Sequence, residues 1–177
     1  FDLIKNCVKA FNIPQLEIEG FEADDIIASY SCKATNLNIP SLIVSSDKDL
    51  MQLVNDKVQM LDPMKNKKIG IDQVIEKFGV EPGKVVQIQA LTGDKVDNIP
   101  GALGIGPKTA LELIKEYGDI ENLIKNADKI KQEKRKNIIK DSTEDIRVSL
   151  KLVTLDKLMD LPLHIKDIRP FIEIKNN

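Results

Sequence analysis

Seven carboxylates fall into three short clusters: Glu22, Asp24 and Asp25; Asp47 and Asp49; Asp94 and Asp97. Asp94 and Asp97 are spaced i,i+3, which predicts both on one face of a helical turn. A glycine-rich turn follows, Gly101 to Gly106, and enters a predicted helix at Pro107. Proline suits the first helical position, because the missing N–H would have no intrahelical partner there. Bare N–H groups at a helix start, with Lys108 and Thr109 beside them, suit a phosphate. A cation site next to a phosphate site suggests metal-assisted work on a phosphodiester.

Each cluster also has a plainer role. Glu22, Asp24 and Asp25 could simply favour a helix start, worth up to about 1 kcal/mol. Asp47 and Asp49 could be a solvated turn. Asp94 and Asp97 could be caps, and the glycines a helix corner. Placement favours chemistry instead. Asp47 and Asp49 follow the most strand-like run in the chain, Ser41 to Ser45, at the edge where open α/β sheets bind ligands. If the three clusters converge, their mutual repulsion needs a counterion. A hard dication with oxygen ligands, Mg²⁺ or Mn²⁺, answers that need. The one histidine, His164, is expected at the surface, and Cys7 and Cys32 stand alone as reduced thiols, so there is no zinc set. Ser45 and Ser46 have no histidine partner for a covalent mechanism. A nucleotide P-loop is disfavoured, because Pro107 separates Gly106 from Lys108 and no β-branched strand feeds the turn.

The elements that must position these residues follow from periodicity. Helices are predicted over 1–11, from Phe21 through Tyr30, over 72–78 with Asp72 as cap and Gly79 as stop, over 82–92, and over 107–117 ending at Gly118. Further helices are predicted over 50–54, 119–126, 128–140 and 142–153, the last capped by Ser142 or Thr143. Strands are predicted at 15–19, at 41–45 as a central parallel strand, at 58–61 and 67–71 around a D-P-M-K-N turn, and at 161–165. Residues 172–177 read as a frayed end or linker.

The 177 residues allow one compact domain, with 42% hydrophobic and 31% charged residues. The net charge of −2 argues against a simple electrostatic nucleic-acid binder, but not against one whose acids are neutralised by metal. Lone thiols, no signal peptide and no membrane-length apolar run predict a cytoplasmic setting and no membrane partner. A first residue that is Phe, inside a predicted helix, suggests a fragment.

The runs G-F-E-A-D-D-I-I-A, I-V-S-S-D-K-D-L-M-Q-L-V and L-T-G-D-K-V-D-N-I-P-G-A-L-G-I-G-P-K-T-A together resemble the structure-specific 5′-nuclease (flap endonuclease) family. The match is to its branch of bacterial 5′→3′ exonuclease domains, those joined to a DNA polymerase I. The resemblance implies an α/β fold: a partial parallel-sheet, PIN-like nuclease core over 1–90, a helix–hairpin–helix DNA-binding region over 91–160, and a return strand and linker over 161–177. It implies metal-dependent hydrolysis at 5′ ends or flaps in DNA replication and repair. Glu22, Asp24 and Asp25 would serve a first metal, and Asp47, Asp49, Asp94 and Asp97 a second. Gly104, Ile105, Gly106, Lys108 and Thr109 would grip duplex DNA through its phosphates, with K⁺ at the same turn. Covalently linked polymerase domains are the implied partner. The family's first metal-binding strands and basic arch have no counterpart after Phe1. The alternative is therefore a catalytically incomplete duplex-DNA-binding module that uses the helix–hairpin–helix, with Lys125, Lys129, Lys131, Lys134, Arg135 and Lys136 as an extra basic face.

Overall fold

A computed structural model describes residues 2–168. The segment 172–177 lies outside the described residues. The described residues form two compact units, 2–39 with 156–168, and 40–155.

In the first unit, α1 (Asp2–Ala10) buries none of its residues. Its apolar Leu3 and Ile4, and Phe11 just after it, are exposed. The second helix, α2 (Ala23–Asn36), starts from the extended Glu22 and carries Asp24 and Asp25 in its first turn, where the helix dipole favours them. Asn38 adopts φ +57°, and the Ile39 N–H bonds back to the Ala34 carbonyl at 2.8 Å, which stops the helix. Ser29 is fully buried. Its hydroxyl donates to the Asp156 carbonyl (3.0 Å) and accepts from the Met159 N–H (3.2 Å). Both strands predicted in this unit are absent. Residues 15–19 alternate as a strand would, but the described residues of this unit offer no other strand to pair with them. Residues 161–165 include Pro162, which cannot donate to a ladder, and lead into a 3₁₀ turn, Ile165–Asp167. His164 is exposed, as expected, and its Nδ1 accepts from the Lys166 N–H.

In the second unit, β1 (Ser41–Val44), β2 (Val58–Asp62) and β3 (Lys67–Ile69) form a sheet in that order. Strand β1 runs parallel to β2, with Ser41 opposite Val58, and β2 runs antiparallel to β3, with Met60 opposite Ile69. The run at 41–45 is thus parallel as predicted, but among the described residues it is an edge strand rather than a central one. Its Leu42 and Val44 are 51% and 60% exposed, so only Ile43 faces the core. The D-P-M-K-N turn forms as predicted. Asp62 Oδ1 accepts the N–H groups of Met64 and Lys65, and Asn66 supplies φ +47°.

Helix α3 (Ile71–Phe78) ends at Gly79 with φ +74°, as predicted. Its cap is Gly70 rather than Asp72. The Gln73 side chain accepts the Gly70 N–H at 2.8 Å, and Asp72 sits in the first turn. Helix α4 (Val85–Thr92) is buried nearly all round and packs against α5 (Pro107–Tyr117) and α8 (Thr143–Val153). Helix α6 (Ile120–Lys125) is capped by Asp119, whose Oδ1 accepts the Asn122 N–H. The helix predicted over 128–140 is instead a 3₁₀ turn, Ala127–Lys129, and α7 (Glu133–Asp141), separated where Ile130 turns extended and buries its side chain. Neither Ser142 nor Thr143 caps α8 through its side chain. The Thr143 hydroxyl bonds back to the Ile139 and Lys140 carbonyls at the end of α7.

Candidate metal and nucleic-acid site

The carboxylates of the second unit are placed by two loops. The first follows β1. Ser45 Oγ accepts the Asp47 N–H (3.0 Å), and Asp47 Oδ1 accepts the Asp49 N–H (2.8 Å). Those bonds start a 3₁₀ turn, Asp49–Leu53, anchored by the buried Leu50, Met51 and Leu53. Gln52, also buried, donates to the carbonyls of Asp49 (3.0 Å) and Val153 (2.9 Å).

The second loop leaves α4 at Gly93 and returns at Gly101. Both glycines have positive φ, +66° and +61°. A Cβ on Gly101 would lie 2.4 Å from the Gly93 nitrogen, so only glycine allows the strands of the loop to touch. Asp94 and Ile99 exchange two backbone hydrogen bonds, 2.9 and 2.7 Å. Asp94 and Asp97 therefore share a closed loop, not the helical turn that their i,i+3 spacing predicts. Ser149 of α8 holds the loop's far end: its buried hydroxyl accepts the Gly101 N–H at 2.8 Å and donates to the Asp145 carbonyl at 2.7 Å.

Lys48 joins the two loops. Its ammonium donates a hydrogen bond to Asp94 Oδ2. That bond raises the Lys48 pKa above its ordinary value, with Asp49 and Asp97 adding to the pull. The same bond, with the Val96 N–H, holds the Asp94 carboxyl below the usual range. Asp49 is pushed the other way. Burial raises it first and the neighbouring Asp47 second, against the Lys48 charge and a hydrogen bond from Gln89 Nε2. Lys48, Asp49, Gln89 and Asp94, with Lys77 and Pro107, line a cleft of about 410 Å³.

Among the described residues, no group of three or more Asp, Glu, His or Cys side chains is arranged to hold a metal ion. The donors are nonetheless of the right chemistry for a hard dication, carboxylate oxygens, and beside them the buried Gln89 Oε1 is left without a hydrogen-bond partner. Glu22, Asp24 and Asp25 belong to the first unit. Glu22 is exposed beside the start of α2, and Asp25 Oδ1 accepts the Asp156 N–H at 2.8 Å.

The glycine-rich turn stands between α4 and α5. Ala102 and Ile105 are buried and pin it: the Ala102 N–H bonds to the Leu91 carbonyl, and the Ile105 N–H to the Ala102 carbonyl. Leu103 and Gly104 project outward, Gly104 with φ +98°. Gly106 precedes α5 in extended form, Pro107 takes the first helical position as predicted, and Lys108 is exposed. Of the basic run, Arg135 pairs with Glu112 (2.9 Å) and Lys136 with Glu133 (2.8 Å), while Lys125, Lys129, Lys131 and Lys134 are exposed.

Sequence reasoning missed Lys48, Gln52, Gln89 and Ser149. A signal existed for the last two. Gln89 stands four residues after Val85, and Ser149 three after Ile146, so each puts a polar side chain on its helix's buried stripe.

A small mixed sheet bearing acidic loops, followed by short packed helices, places the chain among α/β proteins with an appended helical domain. Two family profiles match it: "5'-3' exonuclease, N-terminal resolvase-like domain" over residues 1–79, and "5'-3' exonuclease, C-terminal SAM fold" over residues 80–174. The chain belongs to the 5′–3′ exonuclease family. It is 53% identical to a DNA polymerase I of Rhizobium leguminosarum over 92% of its own length, and 42% identical to a 5′–3′ exonuclease of Aquifex aeolicus over 94%. It spans 16% of the first relative and 56% of the second. Among solved structures, it is similar to the flap endonuclease of bacteriophage T5, crystallised as a pseudo-enzyme–product complex with DNA and metal ions. That match has a TM-score of 0.77 and 27% identity, covering 88% of this chain and 57% of the other. The catalytic core of Rad2 shares the fold, with a TM-score of 0.57 at 16% identity, over 97% of this chain and 58% of that one. No described helix is long and apolar enough to cross a membrane.

Proposed function

We propose that this chain is the greater part of a divalent-cation-dependent nuclease that hydrolyses DNA phosphodiesters at 5′ ends, nicks or flaps. The observation that carries the reading is that Lys48, flanked in sequence by Asp47 and Asp49, bonds Asp94 of the second loop and feels the charges of Asp49 and Asp97, in the same unit as the glycine-rich turn. Asp47, Asp49, Asp94 and Asp97 would hold one Mg²⁺ or Mn²⁺, and Glu22, Asp24 and Asp25 another. Such cations, when bound, supply Lewis acidity to the phosphodiester and lower the pKa of an attacking water.

The chain's own residues do the rest. The pinched loop 93–101 holds Asp94 in one place relative to the glycine turn. That turn, with α4 and α5 on either side, acts as a helix–hairpin–helix. Gly104 and Gly106 offer backbone N–H groups to duplex phosphates, while Ile105, buried and with its N–H bonded to the Ala102 carbonyl, anchors the turn between them rather than contacting phosphate itself. Lys108 and Thr109 add side-chain contacts, and carbonyls of the turn take K⁺. These contacts set the register of the duplex without reading its sequence. Linked polymerase domains, a cytoplasmic location and a part in DNA replication and repair complete the reading.

The test is a 5′-flap and a nicked duplex offered with Mg²⁺, and again with Ca²⁺ for binding. Cleavage that leaves a 5′-phosphate supports the proposal. Binding without cleavage in the full-length protein would reduce it to a DNA-holding module.

A further inference from the structure

Gln89 lies outside every motif, yet it is the side chain that fixes Asp49. It is only 7% exposed, on the buried stripe of α4. Its Nε2 donates to Asp49 Oδ1, and its Oε1 is buried without a partner. Reversing the amide would not satisfy it. Two acceptors would then face each other, and the amide N–H groups would lose their carboxylate. Buried polar atoms are rarely left unpaired, and an apolar side chain would fill this stripe position without that cost. The amide is therefore kept for what it does to Asp49. The Asp49 backbone is fixed independently, by Gln52 on its carbonyl and Asp47 on its N–H. What remains free is the rotation of the Asp49 carboxylate, and Gln89 engages one of its two oxygens.

We propose that Gln89 is a positioning residue: its amide holds Asp49 Oδ1 so that Oδ2 is presented as a ligand to a divalent cation. This rests on the reading of Asp49 as a metal ligand. Partners that orient a ligating carboxylate matter nearly as much as the ligand itself, and their loss weakens metal binding about 10- to 100-fold.

The experiment is a Mn²⁺ titration of the protein, following free Mn²⁺ by electron paramagnetic resonance, with melting temperatures measured alongside. Gln89→Met keeps the length and removes the donor. Its binding midpoint is expected to rise about 10- to 100-fold. Gln89→Glu replaces the donor with a second carboxylate. It is expected to melt lower than the parent without metal and to regain the difference at saturating Mn²⁺, which a purely structural role would not produce. A parental midpoint in Gln89→Met overturns the inference, as does a loss of stability in Gln89→Glu that Mn²⁺ does not recover. Asp49→Asn separates the two levels. If it weakens Mn²⁺ binding and Gln89→Met does not, only the positioning role fails. If Asp49→Asn and the parent titrate alike, the reading of Asp49 as a metal ligand fails and takes this inference with it.

Discussion

Lys48 stands between two aspartates in sequence and reaches a third, Asp94, from another loop. It thereby relieves the repulsion that gathered carboxylates create. Asp94 and Asp49 respond with opposite signs. The Asp94 pKa is lowered, so its contribution to stability is present above the ordinary carboxylate range and is lost as pH falls through the lowered value. In metal-free buffer, the melting temperature of Asp94→Asn should therefore depend less on acid than that of the parent. The Asp49 pKa is raised, so its contribution is present in acid and is lost as pH rises through the raised value. Asp49→Asn should consequently melt higher than the parent at neutral pH without metal, as thermal unfolding would record. Both substitutions should cut cleavage in the full-length enzyme, on the order of a hundredfold, as loss of electrostatic stabilisation at a reacting phosphate does. Unchanged turnover at saturating Mg²⁺ would remove either residue from the ligand set.

At the scale of elements, the loop 93–101 shows why local pattern alone misled. The i,i+3 spacing of Asp94 and Asp97 suits a helix, but Gly93 and Gly101, both at positive φ, let the chain close on itself instead. Gly101→Ala should cost more than about 1 kcal/mol from its φ alone, and further from the clash with Gly93, lowering the melting temperature. Ser149→Ala would leave the buried Gly101 N–H without an acceptor, a cost of about 1–3 kcal/mol. Denaturant unfolding measures it, and an unchanged midpoint would mean that α8 does not hold the loop. The two strands that fail to form, at 15–19 and 161–165, make a related point. Alternation shows which face a strand would bury, but a strand also needs a neighbour to pair with.

At the scale of the whole chain, a net charge of −2 must be reconciled with the proposed binding of a polyanion. The proposed answer is local: cations at the carboxylates, and backbone N–H groups with Lys108 at the glycine turn. Lys108→Ala should then weaken duplex binding evenly across sequences and reduce the salt slope by about 1. A binding constant with unchanged salt dependence would exclude Lys108 from phosphate contact. What the sequence determined by itself is what short-range backbone chemistry decides: the D-P-M-K-N turn, the stop at Gly79, the start at Pro107, and family membership through three motifs in order. It also named the acidic residues. What only the tertiary structure decided is which groups meet: Lys48 with Asp94, Gln89 with Asp49, and Gly101 with Ser149, separated by 46, 40 and 48 residues. The side chains in those contacts are ordinary surface or stripe residues in a linear reading. Their roles come from the packing of α4 and α8 against two loops, and no periodicity in the chain encodes which distant partner a buried polar group will find.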